Sequence, residues 1–150
     1  MNILVTGGAG YIGSVTAESL IQAGHSVTVY DSLVTGHRAA APDGVNFVEA
    51  DLADSHTLVE TFIKNKFDAV MHFAAFIEAG ESMKDPGRFY QNNFTNAITL
   101  AETAVRAGVK RFVLSSTAAV FQSSEEPLNE ESPLGPTNVY GHTKLMVEQA

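Results

Sequence analysis

Short apolar segments alternate along this chain with longer segments in which apolar residues recur every three or four positions. Residues 2–6 (NILVT) are apolar on both faces, which is typical of a strand buried inside a parallel sheet. Later segments such as SVTVY and RFVLS are equally short and rich in β-branched and aromatic residues. The pattern predicts five strands, at residues 2–6, 26–30, 45–48, 68–73 and 111–115.

The segments between the strands have helical spacing and recognisable helix ends. Gly24 can end the first helix, because glycine adopts the left-handed conformation that follows many helices. Ser55 can cap the second helix, and Asp85 followed by Pro86 is a favourable start for the third. The predicted helices cover residues 11–23, 55–66, 85–108 and 138–150.

Strands separated by helices imply right-handed crossovers and a parallel sheet covered on both faces. We therefore predict an α/β fold, a Rossmann-type doubly wound parallel sheet. Ligands of such sheets bind at the carboxyl ends of the strands. The candidate site residues are consequently those that directly follow each strand.

Composition narrows the class of protein. The length of 150 residues favours one domain, and the formal charge of −8 argues against binding nucleic acid or anionic membranes, which need a basic face. Cysteine is absent, so we predict no disulfide and no metal site built on thiolates. The chain shows no signal-peptide pattern and no apolar run approaching the roughly 20 residues of a membrane span. We expect a cytoplasmic protein.

A glycine-rich turn, TGGAGYIG, follows the first strand and leads into a helix. Glycine at positions 7, 10 and 13 suits a tight turn, a close approach of backbone to ligand, and tight packing of helix on strand. The N–H groups and the positive dipole at the helix start suit a pyrophosphate. An ordinary structural turn is the alternative, but the strand–turn–helix setting favours a dinucleotide.

Acidic residues follow the second and third strands. Asp31 lies 18 residues beyond Gly13, where a carboxylate can accept hydrogen bonds from a ribose diol and repel a 2′-phosphate. This favours NAD over NADP, and Arg38 farther along the loop weakens that preference only slightly. Asp51 and Leu52 either bracket an adenine ring or form an ordinary strand-end turn.

The fifth strand and the last helix bring proton-transfer chemistry. Ser115, Ser116 and Thr117 reach the carboxyl edge, where hydroxyl groups often only cap the backbone. Tyr140 and Lys144 are four residues apart and so share a helix face. A free tyrosine has a pKa of about 10, and a nearby ammonium favours its phenolate form. The pair can shuttle a proton beside a nicotinamide.

Taken in order, the motifs resemble those of the extended short-chain dehydrogenase/reductase family, and within it the UDP-hexose 4-epimerases. The resemblance covers the whole chain and rests on TGGAGYIG, Asp31, Asp51-Leu52, HFAA, GESM, KDP, Asn92-Asn93, SSTAAV, YGHTK and KLMVEQ. It implies catalytic roles for Tyr140 as base, Lys144 as its partner and Thr117 as a hydrogen-bond partner of the sugar. It implies cofactor contacts by Gly7, Gly10, Tyr11, Ile12, Gly13, Asp31, Ser32, Leu33, Thr35, Gly36, Asp51, Leu52, Phe73, Ala74, Ala75, Ile77, Asn92, Ser115, Tyr140 and Lys144.

The reaction implied by the resemblance is NAD-dependent epimerisation of a UDP-hexose at C4 through a transient 4-keto sugar. Related 4,6-dehydratases carry an Asp-Glu pair after the residue matching Thr117, whereas this chain has Ala118 and Ala119, which cannot transfer a proton. Two departures stand out: Phe121-Gln122 replaces a common Tyr-Gly, and no lysine lies near Ile77.

The resemblance also bears on domains and partners. It implies that residues 1–150 form an NAD-binding domain ending inside the helix after the Tyr140/Lys144 motif, without the substrate lobe. The chain is then part of an epimerase acting on a UDP-sugar, or an NAD-binding module without turnover, or part of another nucleotide-sugar epimerase or dehydratase. A homodimer through helices 85–108 and 138–150 is expected, with coverage of the sheet as the alternative role of those helices.

Overall fold

The computed structural model describes residues 1–150 and contains one five-stranded parallel sheet. The strand order is β3-β2-β1-β4-β5, and β1 pairs with both β2 and β4. The predicted Rossmann-type sheet is therefore confirmed. The strands are β1 (Asn2–Thr6), β2 (Ser26–Asp31), β3 (Asn46–Glu49), β4 (Ala69–His72) and β5 (Arg111–Leu114).

The helices are close to the predicted ones, with two differences in the middle of the chain. A short helix over GESM precedes Asp85, and the predicted helix 85–108 contains a π-helical stretch, Tyr90–Thr95, between two α-helical parts. Tight 3-10 turns occur at Arg38–Ala40 and Ala118–Val120. The α-helices are α1 (Tyr11–Gln22), α2 (Ser55–Lys64), α3 (Ala79–Lys84), α4 (Pro86–Phe89), α5 (Asn96–Arg106) and α6 (Val139–Gln149).

The predicted cap of α2 is wrong by one residue. Asp54, and not Ser55, occupies the N-cap, and its carboxylate accepts a 3.0 Å hydrogen bond from the Thr57 N–H. Aspartate and serine are comparable caps, so residue preference alone does not decide between the two adjacent positions. The predicted cap at Asp85 is confirmed, since its side chain accepts from the Arg88 N–H at 3.2 Å.

The chain forms two compact units: Met1–Ala74 with Thr99–Ser115, and Ala75–Ile98 with Ser116–Ala150. The first unit contains the sheet, and its strands alternate between two hydrophobic clusters. In β1, Leu4 packs in one cluster while Ile3 and Val5 pack in the other. Because successive side chains of a strand point to opposite faces, a strand covered on both faces must be apolar throughout. This explains the continuous apolar segment at residues 3–5.

The second unit is a group of short helices without a sheet. Phe89 is buried and packs against Phe76 with ring centroids 5.7 Å apart, and the Arg88 guanidinium lies 4.0 Å above the Phe76 ring. Several polar residues of this unit are also buried. They are Ser82, Asn93, Asn96, Thr143 and Lys144. The helices are all too short or too polar to span a lipid bilayer.

Candidate functional site

The loop between β1 and α1 needs glycine at two positions. Gly7 lies in the left-handed region with φ of 73°, and its N–H donates a 2.9 Å hydrogen bond to the Tyr30 carbonyl. A Cβ atom on Gly7 would lie 2.5 Å from the Ala74 nitrogen. Gly13 is buried in the first turn of α1, where a Cβ atom would meet the Gly7 carbonyl oxygen. The tight turn and the close packing predicted from the motif are both present.

The first turn of α1 offers backbone donors that no side chain caps. Gly10 occupies the N-cap and has no side chain with which to accept a hydrogen bond from the first turn. Tyr11 is 87% exposed at the first helical position, and Ile12 is exposed beside it. N–H groups in a first helical turn have no partner within the helix and form the positive end of its dipole. This end of α1 can therefore bind a phosphate group.

Asp31 is buried at the end of β2, with 8% of its surface exposed. One carboxylate oxygen accepts a 2.9 Å hydrogen bond from the Ala9 N–H, and the other accepts a 2.8 Å bond from the Leu33 N–H. Each carboxylate oxygen can accept a second bond, so these contacts leave room for a ribose hydroxyl. The structure thus gives Asp31 a role that the sequence did not reveal: it links the glycine turn to the loop after β2.

The loop after β2 is shaped around Ala9. Leu33 adopts a positive φ of 59°, which the hydrogen bond to Asp31 supports. The His37 N–H donates to the Ala9 carbonyl at 3.0 Å, and a Cβ atom on Gly36 would lie 3.0 Å from the Ala9 backbone. Ser32 and Thr35 are exposed on this loop. The predicted cofactor residues from 7 to 13 and from 31 to 36 therefore lie in one connected region of the first unit.

Asp51 and Leu52 follow β3 as predicted, but their side chains have different environments. Leu52 is buried in the hydrophobic core, whereas Asp51 is exposed and accepts a hydrogen bond from the Ala53 N–H. Tyr30 stabilises this turn, since its hydroxyl donates a hydrogen bond to the Asp51 carbonyl at 3.1 Å. Burial, together with Asp54 and Asp51, raises the pKa of Tyr30 to about 12. Tyr30 therefore stays a neutral hydrogen-bond donor.

The carboxyl ends of β1 and β4 are joined by a buried hydrogen bond of 2.7 Å between Thr6 Oγ1 and His72 Nδ1. The other predicted cofactor residues, from Phe73 onwards, are divided between the two units. Phe73 and Ala74 are half-buried in the first unit, which also contains Ser115. The others belong to the second unit, where Ala75 and Asn92 are half-buried and Ile77 is exposed.

The second unit holds the start of α6 in place through several contacts. Asn138 caps the helix by accepting the Gly141 N–H at 2.8 Å, and the Tyr140 N–H donates to Ser82 Oγ at 3.1 Å. A Cβ atom on Gly141 would meet the Ala119 carbonyl oxygen, so α6 packs directly on the turn that follows Thr117. Sequence analysis did not identify the contribution of Ser82.

Thr117 caps the turn that follows it, since its Oγ1 accepts the Ala119 N–H at 3.2 Å. Capping was the alternative to the catalytic role predicted for this residue. A threonine hydroxyl has one proton to donate and two lone pairs. Accepting from Ala119 therefore leaves the proton free to be donated to a ligand oxygen. The capping contact and the predicted contact with substrate are compatible.

Lys144 is buried on α6, with 3% of its surface exposed. Burial lowers the pKa of Lys144 to about 8, and the nearby Glu148 carboxylate partly opposes this shift. The sequence predicted the i, i+4 pair with Tyr140 but not the burial. An amine with a pKa of about 8 is mostly charged at neutral pH and loses its charge just above it.

Asn93 is a further positioning residue, and sequence analysis did not give it a role. It is 1% exposed within the π-helical stretch. Its Oδ1 accepts the Phe76 N–H at 2.9 Å, and its Nδ2 donates to the Phe76 carbonyl at 2.8 Å and to Thr143 Oγ1 at 3.3 Å. Asn93 therefore links the segment after β4 to α6. The available signal was the Asn-Asn pair inside a helix, because asparagine is a poor helix former.

Replacing Asn93 with leucine is expected to lower the free energy of unfolding by about 2–4 kcal/mol, since both backbone groups of Phe76 lose their partner in a buried site. Asn92→Leu is the control, because Asn92 is half-buried and donates only to Asn93 Oδ1, at 2.8 Å. Its expected loss is about 1 kcal/mol or less. Urea denaturation measures both values, and equal losses would contradict this role of Asn93.

Comparison with known proteins places the chain in a family. The sequence profile of the NAD dependent epimerase/dehydratase family matches residues 3–150. The chain is 45% identical over 150 residues to a UDP-glucose 4-epimerase of Lacticaseibacillus casei and 48% identical over 151 residues to one of Streptococcus mutans. Each alignment covers 99% of this chain and 45% of the relative, so the chain spans less than half the length of these relatives.

Solved structures give the same result. A crystal structure of UDP-glucose 4-epimerase superimposes with a TM-score of 0.96 at 43% identity, covering 99% of this chain and 46% of that one. The Brucella ovis UDP-glucose 4-epimerase in complex with NAD superimposes with a TM-score of 0.94 at 41% identity, covering 99% of this chain and 46% of that one. The family match spans both compact units. The chain therefore belongs to the NAD dependent epimerase/dehydratase family.

Proposed function

We propose that the chain is the NAD-binding part of an enzyme that interconverts UDP-glucose and UDP-galactose at C4 through a transient 4-keto sugar. Relatives named UDP-glucose 4-epimerase support this, as does a neighbouring Bifidobacterium longum enzyme solved with NAD+ and UDP. The observation that carries the proposal is the burial of Lys144 one helical turn after Tyr140. Burying an ammonium on the helix face that also carries a phenol lowers the stability of the fold, and a role in proton transfer explains why it is there.

The residues of the first unit fit the cofactor. The turn at Gly7 and Gly13 has no room for a Cβ atom, and the uncapped first turn of α1 offers donors for a pyrophosphate. Asp31 supplies a carboxylate for a ribose diol and opposes a 2′-phosphate. Arg38 is engaged elsewhere, since its guanidinium lies 4.1 Å above the Phe47 ring. These contacts favour NAD over NADP.

The residues of the second unit fit the proton transfer. When bound, NAD supplies a hydride acceptor for the carbon atom being oxidised. Tyr140 takes the proton of the sugar hydroxyl and later returns it, while the charge on Lys144 stabilises the phenolate. Thr117 donates its remaining proton to the sugar oxygen and orients it. Ala118 and Ala119 provide no acid or base for an elimination, which favours epimerase over dehydratase.

A second candidate is an NAD-binding module without turnover, because the contacts of the first unit with the cofactor do not themselves require catalysis. The predicted homodimer and cytoplasmic location stay predictions. In the predicted dimer helix 85–108, Phe89 and Leu100 are buried within the chain, which favours coverage by its own core. Phe94 and Ile98 are half-buried and Val105 is 74% exposed, so these residues are available to a second copy.

Calorimetry with NAD and NADP, followed by an assay with UDP-galactose, tests the proposal. We expect NAD to bind at least about tenfold more tightly than NADP, which corresponds to about 1.4 kcal/mol. Equal affinities, or no binding of NAD, would contradict the proposed cofactor site. Turnover that falls by roughly 10²–10⁴-fold in Tyr140→Phe supports the epimerase. Any turnover of UDP-galactose by the chain rejects the module.

A further inference from the structure

Glu148 extends the helix face that carries the proposed catalytic pair. Tyr140, Lys144 and Glu148 are spaced four residues apart on α6, so they lie on one face of the helix. Lys144 in the middle is buried, whereas Glu148 one turn farther is exposed. The Glu148 side chain therefore faces solvent, whereas Lys144, which its charge can influence, is buried.

Glu148 also contacts the segment that carries Thr117. Ser116 Oγ donates a hydrogen bond to Glu148 Oε1. At the other end of α6, Gly141 packs against the carbonyl of Ala119. The short segment from 116 to 119 is consequently attached to α6 at two places that are about two helical turns apart. Thr117 lies between these two attachments.

The charge of Glu148 acts on Lys144 against the effect of burial. Burial disfavours the ammonium, and Glu148 is the charged group that favours it. Charged side chains on the neighbouring helices are engaged elsewhere. Glu81 and Lys84 of α3 pair with each other at 2.8 Å, and Arg88 of α4 lies over a phenylalanine ring.

The remaining neighbours of α6 add no charge. The π-helical stretch contributes Tyr90 as its titratable group, and the turn Ala118–Val120 contributes none. On α6 itself, His142 is exposed. Glu148 is therefore the group whose removal isolates the electrostatic effect on Lys144.

We infer that Glu148 is a positioning residue for Tyr140 and Lys144: its carboxylate raises the charged fraction of Lys144 and, through Ser116, holds the Thr117 segment on the same helix. The inference rests on the proposed function for its catalytic meaning. The charge effect on Lys144 and the hydrogen bond with Ser116 are properties of the chain, and both can be tested without cofactor or sugar.

The charge effect is tested by following the ¹³Cε and attached proton signals of the lysines against pH in the full chain, with Lys144→Met to assign Lys144. Glu148→Gln keeps an acceptor for Ser116 but removes the charge, so the Lys144 midpoint is expected to fall by roughly half a pH unit. Glu81→Gln, an exposed acid on α3, is expected to leave it unchanged. A Glu148→Gln midpoint equal to that of the unmodified chain overturns the inference.

The hydrogen-bond effect is tested by amide exchange at Ala119, whose N–H is bound by Thr117. Ser116→Ala is expected to speed this exchange by roughly tenfold, while Glu148→Gln leaves it unchanged. Equal exchange in Ser116→Ala and the unmodified chain overturns this half of the inference. Because neither measurement uses NAD, a shifted Lys144 midpoint together with absent NAD binding would support the charge effect of Glu148 and reject the proposed function.

Discussion

Replacing Gly13 with alanine is expected to destabilise the chain by about 3 kcal/mol or more, although Gly→Ala inside a helix ordinarily stabilises by about 1 kcal/mol. The reason is the packing of α1 on the glycine turn. A Cβ atom at this position would meet the Gly7 carbonyl oxygen and lie 2.8 Å from the Gly7 carbonyl carbon and 2.9 Å from the Gly8 Cα. All three are backbone atoms, so relief requires moving the turn itself.

The control for Gly13→Ala is Gly80→Ala, because Gly80 is also helical but has open space where a Cβ atom would lie. This variant is expected to be up to about 1 kcal/mol more stable than the unmodified chain. Urea denaturation with a common slope measures both changes. Opposite signs for the two variants are the expected result, and a Gly13→Ala variant as stable as the unmodified chain would contradict the close packing.

These two glycines also show what the sequence could predict. The spacing of the glycine turn predicted close packing of the first helix, and the structure has it, because a motif of this kind encodes local geometry directly. The helix over Gly80 was not predicted. It has six residues, and its position depends on packing in the second unit, where Ser82 is buried and contacts the Tyr140 backbone.

The strands were predictable for a similar reason. Residues 3–5 of β1 are apolar because both faces of the strand are buried, and burial on both faces is the usual state of a parallel strand. The π-helical stretch was not predictable from periodicity. It contains Asn93, whose side chain pairs with the backbone of Phe76, a residue 17 positions earlier. Such contacts depend on the fold as a whole.

In the candidate site, too, the residue types were predictable from the sequence but their contacts and burial were not. The types of residue and their order after the strands predicted Asp31 and the Tyr140/Lys144 pair. The sequence did not predict that Asp31 also binds two backbone N–H groups, or that Leu52 is part of the core. The state of Lys144 was the largest unknown, because a lysine on a polar helix face is usually exposed.

Replacing Lys144 with methionine is expected to change how stability depends on pH. Since burial lowers the folded-state pKa of Lys144 to about 8, the unfolded chain binds more protons than the folded chain between about pH 8 and 10.5. The free energy of unfolding of the unmodified chain therefore rises in this window, by about 3 kcal/mol in total from this group. Methionine has a similar length and no charge, so Lys144→Met lacks this rise.

The measurement is the difference in free energy of unfolding between Lys144→Met and the unmodified chain, from urea denaturation at several pH values. The stability advantage of Lys144→Met should be largest below pH 8 and should shrink as the pH rises to 10.5. The other titrating groups are the same in both proteins, so their contributions cancel in the difference. For Lys84→Met the difference should stay flat from pH 8 to 10, because Lys84 is exposed and Glu81 raises its pKa. A flat difference for Lys144→Met as well would mean that Lys144 is solvated in the folded chain. The burial that supports its role in proton transfer would then be absent.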